Sequence, residues 1–405
     1  MRRGGRGQLE YHLLVLVTLG LVAFGLVMVY SASSARATVA ADDPAYFLKR
    51  QALYALVGLV LLLVLSRVDF RRLRRVVPPL LLGSFVLLVA VLVLGEPING
   101  ARRWLTLGPA TLQPSEIAKL AIALWVAAYL SRRQAPASFG ELLRPIGLVV
   151  AAATGLILIE PDLGTAIAIA IMVTAMLVVA GMRLSILAGA AALGIFLIVL
   201  AVWLEPYRRA RLLSFLDPWQ DPQEGGFQAI QAMIAMGSGG FLGVGLGESV
   251  QKVYYLPEAT TDMIFAIVGE ELGLLGAFAV VAAFAVFGYA GFNIALACKD
   301  RFGKLLAAGL TALICGQAAV NMSAVMGLAP LTGIPLPFVS YGGSSLVIGL
   351  ASVGILLNIA VNHAADVAAT VPDRRRRNRR ARHAGARGRR SAPRARRVGH
   401  ARRAS

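Results

Sequence analysis

Histidine is nearly missing from this chain, and cysteine more so. The 405 residues hold only 4 histidines (His12, His363, His383 and His400) and 2 cysteines, Cys298 and Cys315. The histidines stand near the termini or in a basic tail. Histidine general-base, nucleophile-activating and zinc-site chemistry is therefore excluded from the body of the chain. Two cysteines in or beside apolar runs cannot make a disulfide framework. Charge is also scarce: 15% of residues are charged and 58% are apolar, with mean hydropathy +0.71. Soluble domains are about 45–50% apolar and about 25% charged, and one water-soluble core cannot hide the excess. A soluble enzyme, a disordered chain and a disulfide-stapled secreted protein are all excluded. The composition describes an all-α, polytopic integral membrane protein.

Acids are absent from the C-terminal end. Residues 374–405 hold 15 arginines and no Asp or Glu, which leaves only +4 of the net +19 on residues 1–373. The basicity thus belongs to a tail, and nucleic acid is not an expected partner of the body. The tail, counted as residues 363–405, is expected to be disordered and to meet anionic inner-leaflet lipids.

A bilayer core about 30 Å thick needs roughly 20 apolar residues per helix. Ten such runs occur, at about 13–30, 51–66, 76–95, 116–130, 145–159, 163–181, 184–203, 270–297, 305–326 and 340–361. The arginines and lysines between them fall on one side for an even count, so both termini are expected in the cytoplasm. Residues 1–12 then form a cytoplasmic N-terminus and 13–362 the membrane domain. The first apolar run is too long for a cleavable signal sequence and is taken as a span. The outer face carries residues 96–115, a tight turn at 160–162, a large loop at about 204–264 and residues 327–339. No ATP exists on that side of a bacterial inner membrane. Chemistry there needs an activated substrate or a gradient, and no nucleotide cofactor.

Each outer segment has a structural and a chemical reading. In Asn99-Gly100-Ala101-Arg102-Arg103-Trp104-Leu105, the arginines and Trp104 suit interfacial anchoring or a grip on phosphate. In Gln113-Pro114-Ser115-Glu116, a helix start is followed by Lys119, three residues beyond Glu116 and within pairing reach. That charge pair in an apolar helix is either a structural ion pair or faces a cavity. The acids of Glu160-Pro161-Asp162-Leu163-Gly164-Thr165 are turn residues or help hold a cation. The glycine-rich stretch 237–247 lacks the strand and helix of a dinucleotide fingerprint and reads as tight turns against membrane or substrate. After Lys252, four carboxylates (Glu258, Asp262, Glu270 and Glu271) fall within fourteen residues. Asp262 meets an apolar wall, which suits a general base, while Thr261 or Asp262 could equally cap a helix. Around Ser340, small residues suit helix packing or backbone contact with an anion.

In order along the chain, the motifs at 99–105, 113–116, 160–166 and 337–345 resemble those of the SEDS (shape, elongation, division and sporulation) proteins, the FtsW/RodA/SpoVE family. The likeness covers about residues 11–362. Phe215-Leu216-Asp217-Pro218-Trp219, the run 245–252 and Leu256-Pro257-Glu258-Ala259 resemble its division branch. The elongation branch more often has arginine where Ala259 stands. The resemblance implies a ten-span peptidoglycan glycosyltransferase that polymerises lipid II into β-1,4 glycan strands outside the cytoplasmic membrane, at the division septum. It also implies a single-pass class B penicillin-binding transpeptidase and other division proteins as partners. Asp262 takes the family's essential aspartate position, Lys119 its fourth-span lysine and Trp104 its tryptophan. Arg102, Arg103, Trp104, Glu116, Lys119, Lys252, Glu258 and Ser340 form the expected substrate-binding set, with a divalent cation, magnesium or manganese, as expected cofactor. One departure is Thr260, where the family usually has histidine. The rival readings are a lipid II flippase, in which Glu116, Lys119, Glu270 and Glu271 mark a polar path, an elongation-type polymerase, and a non-enzymatic division scaffold.

Overall fold

A computed structural model of the chain describes residues 6–41, 43–98, 101–108, 110–204, 206–223, 225–253 and 255–370. Most of the arginine tail, from residue 371, and the first five residues lie outside the described residues. The helices are α1 (Arg6–Ala41), α2 (Tyr46–Arg67) and α3 (Leu73–Leu94), then, after three short strands, α4 (Pro114–Ser131), α5 (Phe139–Leu142), α6 (Leu148–Ile159), α7 (Leu163–Val179), α8 (Leu184–Leu204), α9 (Pro206–Leu216), α10 (Phe227–Ser238), α11 (Ile264–Ala297), α12 (Arg301–Val325) and α13 (Gly343–Thr370).

Among the described residues, eight helical segments are long and apolar enough to cross a membrane: α1, α2, α3, the unit Phe139–Ile159, α8, α11, α12 and α13. The other two expected runs form α4, 18 residues long, and α7, 17 residues long. At 1.5 Å per residue these reach roughly 26 Å, short of the hydrocarbon thickness. Glu116 and Lys119 lower the hydropathy of α4 further. Length and composition alone therefore support eight spans.

Helix α12 stands at the centre, with 78% of its most apolar stretch buried, against 6% for α8. It packs on α7, α11 and α4, while α13 packs on α2 and α1. Its buried face holds Ala307, Ala308, Ala312 and Ala318. Small side chains of this kind let helix backbones approach, the main source of packing between helices in lipid.

Two segments depart from the reading as plain outer connections. Residues 96–112 form an antiparallel sheet, β1 (Glu96–Ile98), β2 (Ala101–Leu107) and β3 (Ala110–Leu112), in the order β1-β2-β3. Cross-strand pairs such as Leu105 with Leu112 and Thr106 with Thr111 set its register. β-branched and aromatic residues favour this state, and Pro97 is poorly suited to extending α3. The loop at 204–264 contains α9, α10 and then the glycines.

Those glycines serve a break in α11. Gly273 adopts φ +66°, ψ −162° inside that helix, which frees backbone groups of the surrounding turns. Residues 240–245 recover them. Val244 N–H donates to the Glu270 carbonyl and Gly245 N–H to that of Glu271, each at 3.0 Å, while Leu274 N–H donates to Gly240 at 3.0 Å and Leu275 N–H to Phe241 at 3.3 Å. Irregular backbone survives at membrane depth only where its polar groups are satisfied in this way. Gly243 sits at φ +84°, and a Cβ there would stand 2.2 Å from the Glu271 carbonyl oxygen. Gly243→Ala should therefore destabilise the purified protein by about 1–3 kcal/mol. Gly237→Ala, where a Cβ meets nothing within 4 Å, serves as the control. Thermal unfolding in detergent checks this, and equal midpoints for the two variants would contradict the splice.

Candidate active site

Five separate segments converge on one cleft of about 340 Å³. Strand β2 brings Arg103 and Trp104, the start of α4 brings Glu116, and the start of α7 brings Asp162. The segment before α11 brings Glu258 and Asp262, and the α12–α13 connection brings Gly333 to Pro335 and Tyr341 to Ser345. Asp262 and Glu258 are half-buried here. The capping alternative for Asp262 is not realised: α11 starts one residue later, with Met263 at its N-cap and no side-chain cap bond.

The carboxylate of Asp262 faces the guanidinium of Arg103 across Gly333. A Cβ placed on Gly333 would lie 3.9 Å from Arg103 Nη1 and 3.9 Å from Asp262 Oδ2. A carboxylate and a guanidinium thus both border the space that the glycine leaves open. Thr261 Oγ1 donates to Glu258 Oε2 at 2.8 Å and approaches Asp262 Oδ1 at 3.4 Å, which links the two carboxylates. Glu258 itself adopts φ +54°, a left-handed conformation uncommon outside glycine and found most often where function demands it.

Backbone anchors hold this arrangement. Asn321 of α12 donates through one amide nitrogen to the Asp262 carbonyl and the Ile334 carbonyl, both at 2.8 Å. Four residues earlier, Gln317 donates to Pro335 O at 2.9 Å and accepts from Lys119 Nζ at 2.8 Å. Gln51 of α2 donates to Ser340 O at 3.0 Å and accepts from Gly342 N–H at 3.3 Å. Tyr341 N–H donates to Thr260 O at 2.8 Å, so Thr260, at the position of the family's usual histidine, contributes a backbone contact. Asn321, Gln317 and Gln51 were not singled out from the sequence. Their signal was available: amides inside apolar helical runs, with Gln317 and Asn321 spaced to share one face.

Four of the expected substrate-binding residues lie elsewhere. Arg102 and Arg103 are consecutive on a strand, so their side chains take opposite faces. Arg102 is exposed and donates to Leu92 O at 3.4 Å. Lys119 lies behind the cleft, buried, with Glu116 at 2.9 Å, and touches it through partners, Glu116 and Gln317. Lys252 pairs with Glu271 at 2.8 Å, beside Ser31 of α1 at 3.3 Å, and lines a separate recess. The Ser340 hydroxyl is buried and accepts the Leu336 N–H at 2.8 Å, fastening its own loop.

The turn between α6 and α7 orients Arg103. Its Nε donates to Glu160 O at 3.0 Å and its Nη2 to Pro161 O. Asp162 caps α7, accepting from Thr165 N–H at 3.0 Å and Thr165 Oγ1 at 2.8 Å. Asp162 thus takes the capping role open to a turn acid, while still lining the cleft. Among the described residues no three His, Cys, Asp or Glu side chains converge as a metal cage. A magnesium-type ion that shares its shell with phosphate needs only one or two carboxylates. Glu258, beside Asp262 on the cleft, would supply one such carboxylate.

Replacing Asn321 with Ala removes the donor to the Asp262 carbonyl and to the buried Ile334 carbonyl. An unsatisfied buried carbonyl costs about 1–3 kcal/mol, so the variant should unfold at a clearly lower temperature. An unchanged midpoint would show that the clamp carries no energy.

Residues 11–365 match the family described as Cell cycle protein, FtsW/RodA/SpoVE. The chain is 42% identical over 350 residues to the probable peptidoglycan glycosyltransferase FtsW of Geobacter metallireducens, covering 86% of this chain and 93% of that one. It is 42% identical over 351 residues to the stage V sporulation protein E of Bacillus subtilis, covering 86% and 96%. Among solved structures it resembles a chain from "Structural coordination of polymerization and crosslinking by a peptidoglycan synthase complex". That match has TM-score 0.71 and 35% identity, and covers 86% of this chain and 97% of that one. Thermus thermophilus RodA aligns with TM-score 0.63 at 30% identity, covering 86% and 96%.

Proposed function

The chain belongs to the FtsW/RodA/SpoVE family, and from that membership we infer that this multi-pass membrane protein is a division-type peptidoglycan glycosyltransferase. The observation that carries the reading to particular residues is the cleft in which Asp262 and Arg103 face each other across Gly333. We propose that lipid II is both donor and acceptor there. The donor sugar sits on a lipid pyrophosphate, so the leaving group is already activated and no nucleotide is consumed.

The acceptor's 4-hydroxyl attacks the donor's anomeric carbon. As the new C–O bond forms, Asp262 takes the hydroxyl proton and the bond to pyrophosphate breaks. Arg103 donates to the departing phosphate, whose charge grows in the transition state. Its side chain is already oriented by the Glu160 and Pro161 carbonyls, so little reorganisation is needed at that moment. A divalent cation held at Glu258 would supply further charge to the same phosphate. Lys119 neutralises Glu116 at the cleft wall and acts through it.

The charged residues that suggested a transport path are each engaged: Glu116 with Lys119, Glu271 with Lys252, and Glu270 with Ser249 and the Val250 N–H. Such fixed pairs suit a scaffold for the cleft. The finer reading has ten membrane passes, with α4 and α7 crossing beside longer neighbours, both termini in the cytoplasm and the cleft outside. It places the protein at the septum beside a single-pass class B transpeptidase.

Asp262→Asn keeps the shape and removes the base. Polymer formation from labelled lipid II by the purified protein with its transpeptidase partner should fall on the order of 10²–10⁴-fold. Wild-type rates from the variant would overturn the assignment.

A further inference from the structure

The side chain of Glu160 has no part in the mechanism above, which uses only its backbone carbonyl, yet it is the least accounted-for acid beside Arg103. Its side chain is 0% exposed, and neither carboxyl oxygen has a hydrogen-bond partner. Buried polar groups are almost always paired, and a buried unpaired charge is expensive, so an orphaned carboxyl asks for a reason. Its backbone carbonyl, with that of Pro161, holds the guanidinium of Arg103. Arg103 is thus positioned by neutral carbonyl dipoles, although a carboxylic acid belongs to the same turn.

The charged groups that act on Glu160 are Asp162, at the start of α7, and Arg103, on β2. Asp162 is already committed to Thr165. Were Glu160 to ionise, its charge would offset that of Arg103. The guanidinium would then have less net attraction for an anion arriving in front of it.

We propose that Glu160 is a positioning residue whose neutral carboxyl keeps the full charge of Arg103 available to the pyrophosphate end of the lipid-linked substrate. This rests on the glycosyltransferase reading and deepens it. Burial is the main cause that raises the acid from its ordinary 4.5 to about 8, the Asp162 charge adds to it, and the Arg103 charge opposes both. The carboxyl therefore keeps its proton at neutral pH and loses it as pH rises through about 8. The linked stability has the same sign. Because the folded value lies above the ordinary one, this group's contribution is complete below 4.5 and lost as pH rises through about 8.

The test compares wild type and Glu160→Gln, which is permanently neutral and similar in shape, each as the full chain with its transpeptidase partner. Initial rates of lipid II polymerisation are measured against lipid II concentration between about pH 6.5 and pH 9.5. In the wild type, KM should rise several-fold across the upper half of that range. In the variant KM should stay flat, with kcat at neutral pH within about two-fold of wild type. The same alkaline rise in both proteins, a flat wild-type KM, or a folded but inactive variant would each overturn the proposal. A second measurement needs neither the variant nor turnover: binding of undecaprenyl pyrophosphate to wild-type protein at pH 7 and pH 9. Weaker binding at pH 9 supports the proposal and equal binding overturns it. Because this arm reads affinity alone, it still decides if the wild type makes no polymer, a result that would instead sink the polymerase reading.

Discussion

The amide of Asn321 is the interaction on which the cleft depends. One side-chain nitrogen, carried on α12, the most buried of the eight membrane-length helices, binds the backbone of Asp262 and the backbone of Ile334 together. Without it, the segment before α11 and the segment before α13 would keep the Thr260 to Tyr341 backbone bond but lose their shared tie to α12. The open space at Gly333, between Asp262 and Arg103, would lose its fixed width. Gln317, one helical turn away, extends the same logic by joining Pro335 to Lys119 and so to Glu116. Central α12 is thus apolar along most of its length and polar where it must hold two outer segments in register.

A second constraint comes from lipid. Backbone groups inside the hydrocarbon region have no water to turn to. The break in α11 at Gly273 is tolerated because residues 240–245 close it with four hydrogen bonds. Below this splice, Lys252, Glu271 and Ser31 tie the same region to α1 through buried contacts. Removing one partner of such a pair leaves an uncompensated charge, usually a loss of about 3–5 kcal/mol. The segment that carries Asp262 is therefore anchored at both ends, by α1 and α11 on one side and by Asn321 on the other.

Much of this was legible in the residues. Long apolar runs announced the helices, and the motifs around Arg103, Trp104, Glu116, Glu258 and Asp262 pointed to segments that do meet. Arg102 lies apart from Arg103 because the two alternate along strand β2, which the local residue pattern does not announce. From the residues alone Lys252 suggests a substrate contact, because its partner, Glu271, stands nineteen positions along the chain. Ser340 was read from its hydroxyl, which turns back to its own loop. Glu160 was visible as an acid in a turn. Its burial and its bond-free carboxyl depend on the packing of α6 against α7, which no local pattern reports.

The most direct test of the account is stereochemical. A single displacement, with Asp262 taking a proton and never bonding to sugar, must invert the anomeric centre. Glycan made from labelled lipid II by the purified wild-type protein can be digested to disaccharides and the new linkage assigned by NMR. A configuration opposite to that of the donor is the expected result. Retention would require a covalent glycosyl-enzyme intermediate and would contradict the role given to Asp262.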